Sequence, residues 1–400
     1  MTIPRLIYRS LRQHALSTLV TAGSIALAAG LLMAVWMVKT QAQRAFTETT
    51  TGFDAVLGAR GSKLQLVLNA IFHLEASPGN LAWADYEQIA KHPAVKTAIP
   101  IAVGDNFQGW RIVGTVPELF TKVEFAAERK YAFASGTLFG AEAREAVVGS
   151  FVAQKLGWKV GDTFRPYHGL NFDPANQHEE VFTITGILAP TNTPADRVIW
   201  IPLKGVQTMS GHDPRMATDV SAVLLQFRSP MAGIMLDVMY NKQGNRLTLA
   251  YPASAIIADL FAKISWFDRV LELVAYLVAL VAAGSVLAGI YASMSARQRD
   301  IAILRALGAR RRTIFGAVVA EAAAIGVLGA AAGFAIYFAL LIGVAEVIRA
   351  QTGVVLKTGE LHAVLWICPL AMTALSALGG VVPAMKAYRV PVAETLAPVS

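Results

Sequence analysis

Long apolar runs interrupt the polar sequence at four places. Each run lacks a charged residue and exceeds the roughly 20 residues with which a helix, rising about 1.5 Å per residue, crosses the hydrocarbon core of a bilayer. The runs are Leu16–Val38, Leu273–Met294, Ala322–Ala345 and Ala363–Met385. We extend these runs to the neighbouring residues that still fit a helix. They then predict four transmembrane helices, at residues 16–38, 270–294, 313–345 and 361–385.

The segment between the first two spans, residues 39–269, has a mixed pattern. Apolar residues recur there with helical spacing in some stretches and alternate in others, which is typical of an α+β domain. The predicted helices are 63–74, 83–92 and 150–156. The predicted strands are 146–149, 182–188, 198–201 and 220–227, with a hairpin over 97–116 that turns around Gly104, Asp105 and Asn106.

Helix-compatible sequence also continues past the ends of these spans. It extends beyond the first span to Phe46, and an apolar stripe at helical spacing leads from Ala255 into the second span. We therefore expect an α-helical membrane protein in which two stalk helices carry one large outer α+β domain.

The distribution of positive charge predicts the orientation of the chain. The net charge is +8, yet residues 39–269 contain 22 basic and 21 acidic residues and are nearly neutral. The surplus lies in the N-terminal segment 1–15, the central loop 295–312 and the tail 386–400. Because basic residues mark the cytoplasmic side, these three segments are predicted to be cytoplasmic, and 39–269 and the short loop 346–360 to face outward. This pattern indicates membrane lipids as partners and no nucleic acid.

The single cysteine limits how the outer domain is stabilised. Cys368 lies within the fourth predicted span, so the outer domain can form no disulfide and depends on its own core. The 23-residue run of the first span is longer than the apolar region of a cleaved signal peptide, about 7 to 15 residues. We expect that span to be retained.

The central loop has the pattern of a short amphipathic helix. At 100° per residue, Ile301, Ile303, Leu304 and Leu307 share one face with Asp300, and Arg297 lies beside them. Gly308 is expected to end the helix. Such a helix could lie on lipid headgroups, dock into a groove of another protein, or form a solvated basic loop that only sets topology. The carboxylate on the apolar face favours a protein groove that supplies a cation.

Motifs of known catalytic chemistry are absent from the sequence. There is no G-x-x-x-x-G-K-[ST] loop for a nucleotide, and H-E-x-x-H, G-x-S-x-G and C-x-x-C do not occur. We expect a non-catalytic chain that binds no cofactor directly. His168, His178 and His212 lie near Asp173, Glu179 and Glu180, but without i, i+3 or i, i+4 spacing. A polar surface loop is favoured there, and a metal site is the alternative. The stretch Thr191–Arg197 reads as a structural turn that could also touch a partner.

Glu321 is an isolated acid near the start of the third span. It follows Arg312 by nine residues, about 13 Å along a helix. A carboxylate inside hydrocarbon normally faces a partner or a cavity. If the bilayer begins later, Glu321 is instead an interfacial acid paired with an arginine of the central loop. The sequence leaves both interpretations open.

Several segments resemble the FtsX-like permease family, of MacB type and related to the lipoprotein-release permeases. The central loop Arg297–Ala309 resembles its R-x-x-E-I-x-x-L-R-x-L-G-A signature, with Asp300 in place of the usual glutamate. Glu321 matches an acid near the start of the third span of that family. Further similar segments are Pro383–Leu396 at the end, and Asp54–Leu68, Glu145–Asp162 and Phe182–Leu188 in the outer domain.

The resemblance implies a permease subunit of an ABC transporter in a bacterial inner membrane. A separate ABC ATPase dimer, which uses ATP and Mg, would dock at Arg297, Asp300, Ile301, Leu304, Arg305, Leu307 and Gly308. A second permease, copy or paralogue, would complete the complex, with a periplasmic or outer-membrane protein as a possible further partner. In this family ATP hydrolysis is thought to move the outer domain without passing cargo through the bilayer, which is called mechanotransmission.

Two functions are compatible with the resemblance. One is export or extraction of an envelope substrate such as a lipoprotein, peptide, drug or lipid. The other is a signalling subunit that regulates a periplasmic enzyme or partner without transporting cargo. The large outer segment favours the first.

Overall fold

The computed structural model describes most of the chain. The residues it describes are 3–48, 52–126, 128–141, 144–170, 172–210, 218–244, 246–296, 302–303, 305–356, 359 and 361–388. They belong to two compact units. The membrane unit is drawn from residues 1–41, 265–346 and 357–400, and the outer unit from 42–264 and 347–356.

The described helices and strands follow one another along the chain. The helices are α1 (Ile3–Gln13), α2 (Ala15–Glu48), α3 (Lys63–Ala70), α4 (Trp83–Ala90), α5 (Glu118–Lys122), α6 (Ser150–Leu156), α7 (Leu203–Gln207), α8 (Pro230–Val238), α9 (Ala253–Ala296), α10 (Arg311–Thr352), α11 (Val364–Gly379) and α12 (Val381–Tyr388). The strands are β1 (Ala55–Ala59), β2 (Val95–Phe107), β3 (Trp110–Thr115), β4 (Glu124–Ala126), β5 (Arg129–Lys130), β6 (Phe133–Gly136), β7 (Glu145–Val148), β8 (Thr163–Phe164), β9 (Tyr167–His168), β10 (Phe182–Leu188), β11 (Val198–Pro202), β12 (Ala222–Phe227) and β13 (Leu247–Ala250).

The four predicted spans are confirmed as helices. Within the described residues, four helical segments have the length and apolar composition to cross a membrane, namely Ala15–Thr47, Ala253–Gly289, Arg311–Thr352 and Val364–Met385. Small residues bring α2 and α10 together. A Cβ on Gly329 would lie 2.7 Å from the Cβ of Ile25, and one on Gly333 would lie 3.0 Å from the Cβ of Ala29. Glycine at these positions lets the two backbones approach closely.

The outer unit is built on one mixed sheet of eleven strands among the described residues, in the order β13-β1-β12-β2-β3-β11-β7-β10-β6, with β8 beside β10 and β9 beside β2. The pairs β3–β11 and β7–β10 are parallel, and the other pairs along this order are antiparallel. One apolar cluster lies on each face: one contains Val56, Leu66 and Trp200, and the other Leu57, Ile112 and Phe182. Since successive side chains point to opposite faces, strand β1 contributes to both clusters.

The predicted hairpin exists, but the predicted turn position was wrong. The strands continue through Gly104, where the register shifts between Val103 and Asp105, and they turn at Gln108 and Gly109. Both turn residues have positive φ, 50° and 87°. A two-residue turn with positive φ at both positions matches the twist of the strands, whereas the Gly104 region is absorbed as a bulge.

Candidate functional site

The central loop is described in part. Arg297, Asp300, Ile301 and Leu304 lie outside the described residues, so the shared face predicted for them is not described. Ala302, Ile303, Arg305 and Ala306 are helical. The helix closes with the amide of Leu307 donating to the Ile303 carbonyl (3.0 Å) and that of Gly308 to the Arg305 carbonyl (3.0 Å). Gly308 has φ +97°, which favours glycine, and it ends the helix where the sequence predicted.

The described side chains of this loop differ sharply in exposure. Ala302 is fully buried, Ile303 is 42% exposed and Leu307 is 80% exposed. A leucine so exposed, in a segment rich in arginine, is surface that a partner could cover.

Glu321 is buried in the membrane unit and accepts a hydrogen bond from the hydroxyl of Ser10. Ser10 lies on α1, the basic N-terminal helix, and is itself buried. Helix α10 begins at Arg311, so Glu321 lies about 15 Å along it. Glu321 therefore has a hydrogen-bond partner on the helix that precedes the first span, and the two interpretations of its depth in the bilayer both stay open. The uncharged run of the third span begins directly after Glu321.

An ion pair links the C-terminal end of the first span to the N-terminal end of the second. The ammonium group of Lys39 on α2 lies 3.0 Å from a carboxylate oxygen of Glu272 on α9. Both side chains are about one third exposed or less, 34% and 27%. Because each charged residue directly borders an uncharged run, the pair ties α2 to α9 where both spans end.

The C-terminal end of α10 belongs to the outer unit. The sequence predicted a loop at 346–360, but the helix continues to Thr352, and residues 347–356 join the outer unit. Val354 is fully buried in the same cluster as Trp200. Gly353 has φ +75°, and a Cβ there would lie 2.9 Å from the Cα of Pro194. The two predicted stalks, α2 and α9, are thus accompanied by a third helix.

The turn that receives this segment is structural. The carboxylate of Asp196 accepts hydrogen bonds from the amides of Thr191 (2.9 Å) and Asn192 (2.8 Å) and from the Thr191 hydroxyl (2.8 Å). Arg197 donates to the carbonyl of Gln351 and lies over the ring of Trp110 at 5.2 Å. Burial lowers the pKa of the Arg197 guanidinium. The predicted turn therefore holds the end of α10 by a charged hydrogen bond and by packing.

An apolar cavity opens on the outer unit. Its volume is about 380 Å³, and Trp83, Val116, Pro117 and Leu203 are among the residues that line it. The size and apolar lining suit a small apolar ligand or an acyl chain.

The histidines singled out in the sequence are partly assembled. His168 and His178 both approach Asp105, a residue that the sequence implicated only in the predicted turn. His212 lies outside the described residues. Asp173 caps a short 3-10 helix through the amide of Ala175. Strand pairing, which the sequence alone does not specify here, brings β9 and its His168 opposite Asp105.

Comparison with known families identifies the chain. Residues 18–232 match the family described as the MacB-like periplasmic core domain, and residues 272–392 match the FtsX-like permease C-terminal family. The first match alone covers more than half of the chain. The chain belongs to the FtsX/MacB-type permease family. This permease is therefore a multi-pass membrane protein and a permease-type subunit of the ABC transporter class.

Solved structures resemble the outer part of this FtsX/MacB-type permease. The periplasmic region of MacB from Actinobacillus actinomycetemcomitans is similar at 10% identity and a TM-score of 0.37, over 54% of this chain and 97% of that chain. The extracellular domain of the noncanonic ABC-type transporter YknZ from Gram-positive bacteria is similar at 15% identity and a TM-score of 0.30, over 49% of this chain and 98% of that chain. A comparison with curated proteins found no match.

Proposed function

We propose that this permease couples ATP hydrolysis by a separate ATPase to movement of its outer unit, for export or extraction of an envelope substrate. The ATP and Mg are used by the ATPase. The N- and C-termini and the central loop lie in the cytoplasm of a bacterial cell, and the outer unit faces the envelope.

The continuity of three helices carries this proposal. Helices α2, α9 and α10 have 34, 44 and 42 residues, and each contributes residues to both units. At about 1.5 Å per residue they are roughly 50 to 65 Å long, whereas the hydrocarbon core is about 30 Å thick. An uninterrupted helix transmits displacement along its axis because its backbone hydrogen bonds resist compression, and α9 and α10 flank the central loop.

Movement can be measured between two copies in one complex. Lys159 is exposed on the outer unit, so Lys159→Cys in a background lacking Cys368 accepts a spin label. With the ATPase present, the distance between the two labels should change between the nucleotide-free and the ATP-trapped complex. The same distance distribution in both states would overturn the proposal.

Docking of the ATPase is assigned to the central loop. Leu307 is 80% exposed in a loop that carries several arginines, so it offers apolar surface to a partner protein. Leu307→Asp should therefore abolish co-purification of the ATPase. Leu361→Asp is the matched control, since Leu361 is 81% exposed and precedes the fourth span, on the opposite side of the membrane in this orientation. Equal ATPase recovery with Leu307→Asp and with wild type would remove the docking site.

The orientation has its own test. In the background lacking Cys368, Lys159→Cys and Arg310→Cys each place one thiol at an exposed position. A membrane-impermeant maleimide applied to spheroplasts should label the first and not the second. The reverse pattern would invert the topology and exclude an ATPase docked at the central loop.

The apolar cavity on the outer unit favours transport over signalling. A subunit that only regulates a partner needs no ligand space, whereas a cavity of about 380 Å³ can receive part of an apolar substrate. Val116→Trp should fill it. We expect this variant to keep ATPase binding and to lose ATPase stimulation by native lipid extract. If stimulation is unchanged, the cavity is not the substrate site and the signalling function gains weight.

A further inference from the structure

Three metal-ligating side chains converge on the outer unit. Asp105 lies on β2 opposite His168 on β9, and His178 follows ten residues later. The same oxygen of Asp105, Oδ1, lies 3.1 Å from Nε2 of His178 and 3.4 Å from Nδ1 of His168. One ligand atom from each residue lies within 4.8 Å of the other two.

These separations are those of ligands around one small cation. Zinc binds imidazole nitrogen and carboxylate oxygen at about 2.0 to 2.2 Å, so two tetrahedral ligands are about 3.4 Å apart. The measured 3.1 and 3.4 Å agree with that spacing. Two of the three separations therefore already match ligands that share an ion, and the two imidazole nitrogens lie within 4.8 Å of each other.

The hydrogen bonding of His178 also indicates a bound cation. Its Nδ1 lies 2.7 Å from the carbonyl oxygen of Ser210, which can only accept, so Nδ1 carries the proton. In the neutral ring Nε2 then presents a lone pair to the carboxylate of Asp105. Two acceptors at 3.1 Å repel each other unless a proton or a metal ion lies between them. A histidine that donates from one ring nitrogen to a carbonyl and ligates through the other is the usual arrangement in metal sites.

Neighbouring groups hold the ligands in place. Glu180 accepts from the amide and the hydroxyl of Ser210, both at 2.9 Å, and so fixes the carbonyl that orients His178. The side-chain amide of Asn106 donates to the carbonyl of Gly169 (2.9 Å), directly after His168. Asp105 and His178 are buried, whereas the side chain of His168 is 54% exposed. The cluster is thus rigid on one side and open to solvent on the other.

We propose that Asp105, His168 and His178 bind a divalent transition-metal ion of the zinc class. Two imidazoles and one carboxylate select Zn²⁺, Co²⁺ or Ni²⁺ over Ca²⁺ and Mg²⁺, which prefer oxygen ligands. Because the side chain of His168 is 54% exposed, solvent can reach the ion from that side. The ion ties β9 and the segment around Ser210 to the central strand β2.

The test uses the full-length permease in detergent after treatment with a chelator. Zn²⁺ binding is measured by competition with a chromogenic chelator, and Co²⁺ is used as a visible-absorbance probe of coordination. We expect one ion per chain, and at least about tenfold weaker binding in His168→Ala and Asp105→Asn. His92→Ala is the control, because His92 lies in the same unit outside the cluster, and it should bind as wild type does.

Because the side chain of His168 is 54% exposed, the variant His168→Ala should fold normally, and the test does not depend on a variant that unfolds. If Asp105→Asn does not fold, as judged by its melting temperature in chelator, His168→Ala still reports on the site. The absorption bands of bound Co²⁺ should be lost in His168→Ala. Unchanged Zn²⁺ affinity in His168→Ala, or no high-affinity Zn²⁺ binding by wild type, would overturn the proposal. His178 and Asp105 would then form only a proton-mediated pair.

Discussion

Acidification should destabilise the outer unit through one buried histidine. His73 packs edge-on against Trp200, with ring centroids 5.5 Å apart, and within the described residues its Nδ1 has no hydrogen-bond partner. Burial, and next the positive charge of Arg111, lower the pKa of His73 from 6.5 to about 3. The folded outer unit therefore keeps this ring neutral at pH values where the unfolded chain protonates it.

The sign and size of the effect follow from that difference in pKa. Between pH 6.5 and about 3 the unfolded state binds more protons than the folded state, so the free energy of unfolding falls as the pH falls. The contribution is fully present above pH 6.5 and is lost at about 1.4 kcal/mol per pH unit below it. Between pH 7 and pH 5 the outer unit should lose about 2 kcal/mol through His73.

Pulse proteolysis in urea measures this loss on the full-length protein in detergent, because the protease cleaves only the unfolded outer unit. The informative variant is His73→Asn. Asparagine does not titrate, and it tolerates the φ of +55° found at His73. The comparison uses the change between pH 7 and pH 5 within each variant, so a general loss of stability in His73→Asn does not affect it.

Wild type should lose about 2 kcal/mol more than His73→Asn between the two pH values. His92→Asn is the control and should behave as wild type does. An equal loss in wild type and in His73→Asn would refute the reasoning, since the pH dependence would then arise from other groups.

Further predictions concern the helices. Gly353→Ala should destabilise the outer unit by about 2 kcal/mol or more in the same assay, because alanine at positive φ costs about 1 to 2 kcal/mol and its Cβ meets backbone. Lys39→Met and Glu272→Met should each lower the melting temperature of the protein in detergent. The double variant should lower it by less than the sum of the two single effects, and the corresponding coupling free energy should be about 1 kcal/mol. Leu280→Cys should form a disulfide between two copies on mild oxidation, whereas the equally exposed Leu370→Cys should not. Helix α9 supports this, since only 17% of its most apolar segment is buried, against 28% for the fourth span, which carries Leu370.

The membrane helices and several outer elements were predictable because local pattern determines them. Helix α6 and strand β10 begin and end at the predicted residues, since helical spacing and period-two alternation are strong there. Strands β1 and β13 carry no such clear alternation, because β1 lies between two strands and is buried on both faces. They were not predicted.

The remaining differences arise from contacts between residues distant in sequence. Asp105 is 63 positions from His168, and only the pairing of β2 with β9 brings them together. Likewise, the burial of Val354 depends on a surface around Trp200, which lies 154 residues earlier in the chain. The sequence showed that Glu321 needed a partner, but Ser10 carries no pattern that distinguishes it from an ordinary polar residue of a basic helix.

The attachment of α10 to the outer unit distinguishes the third span from the fourth. The outer unit ends at Leu356 and α11 begins at Val364, so seven residues separate them. An extended chain of that length reaches at most about 25 Å. If the outer unit moves as proposed, α10 must follow it, whereas the linker of seven residues allows the fourth span to stay in place over a displacement of several ångströms.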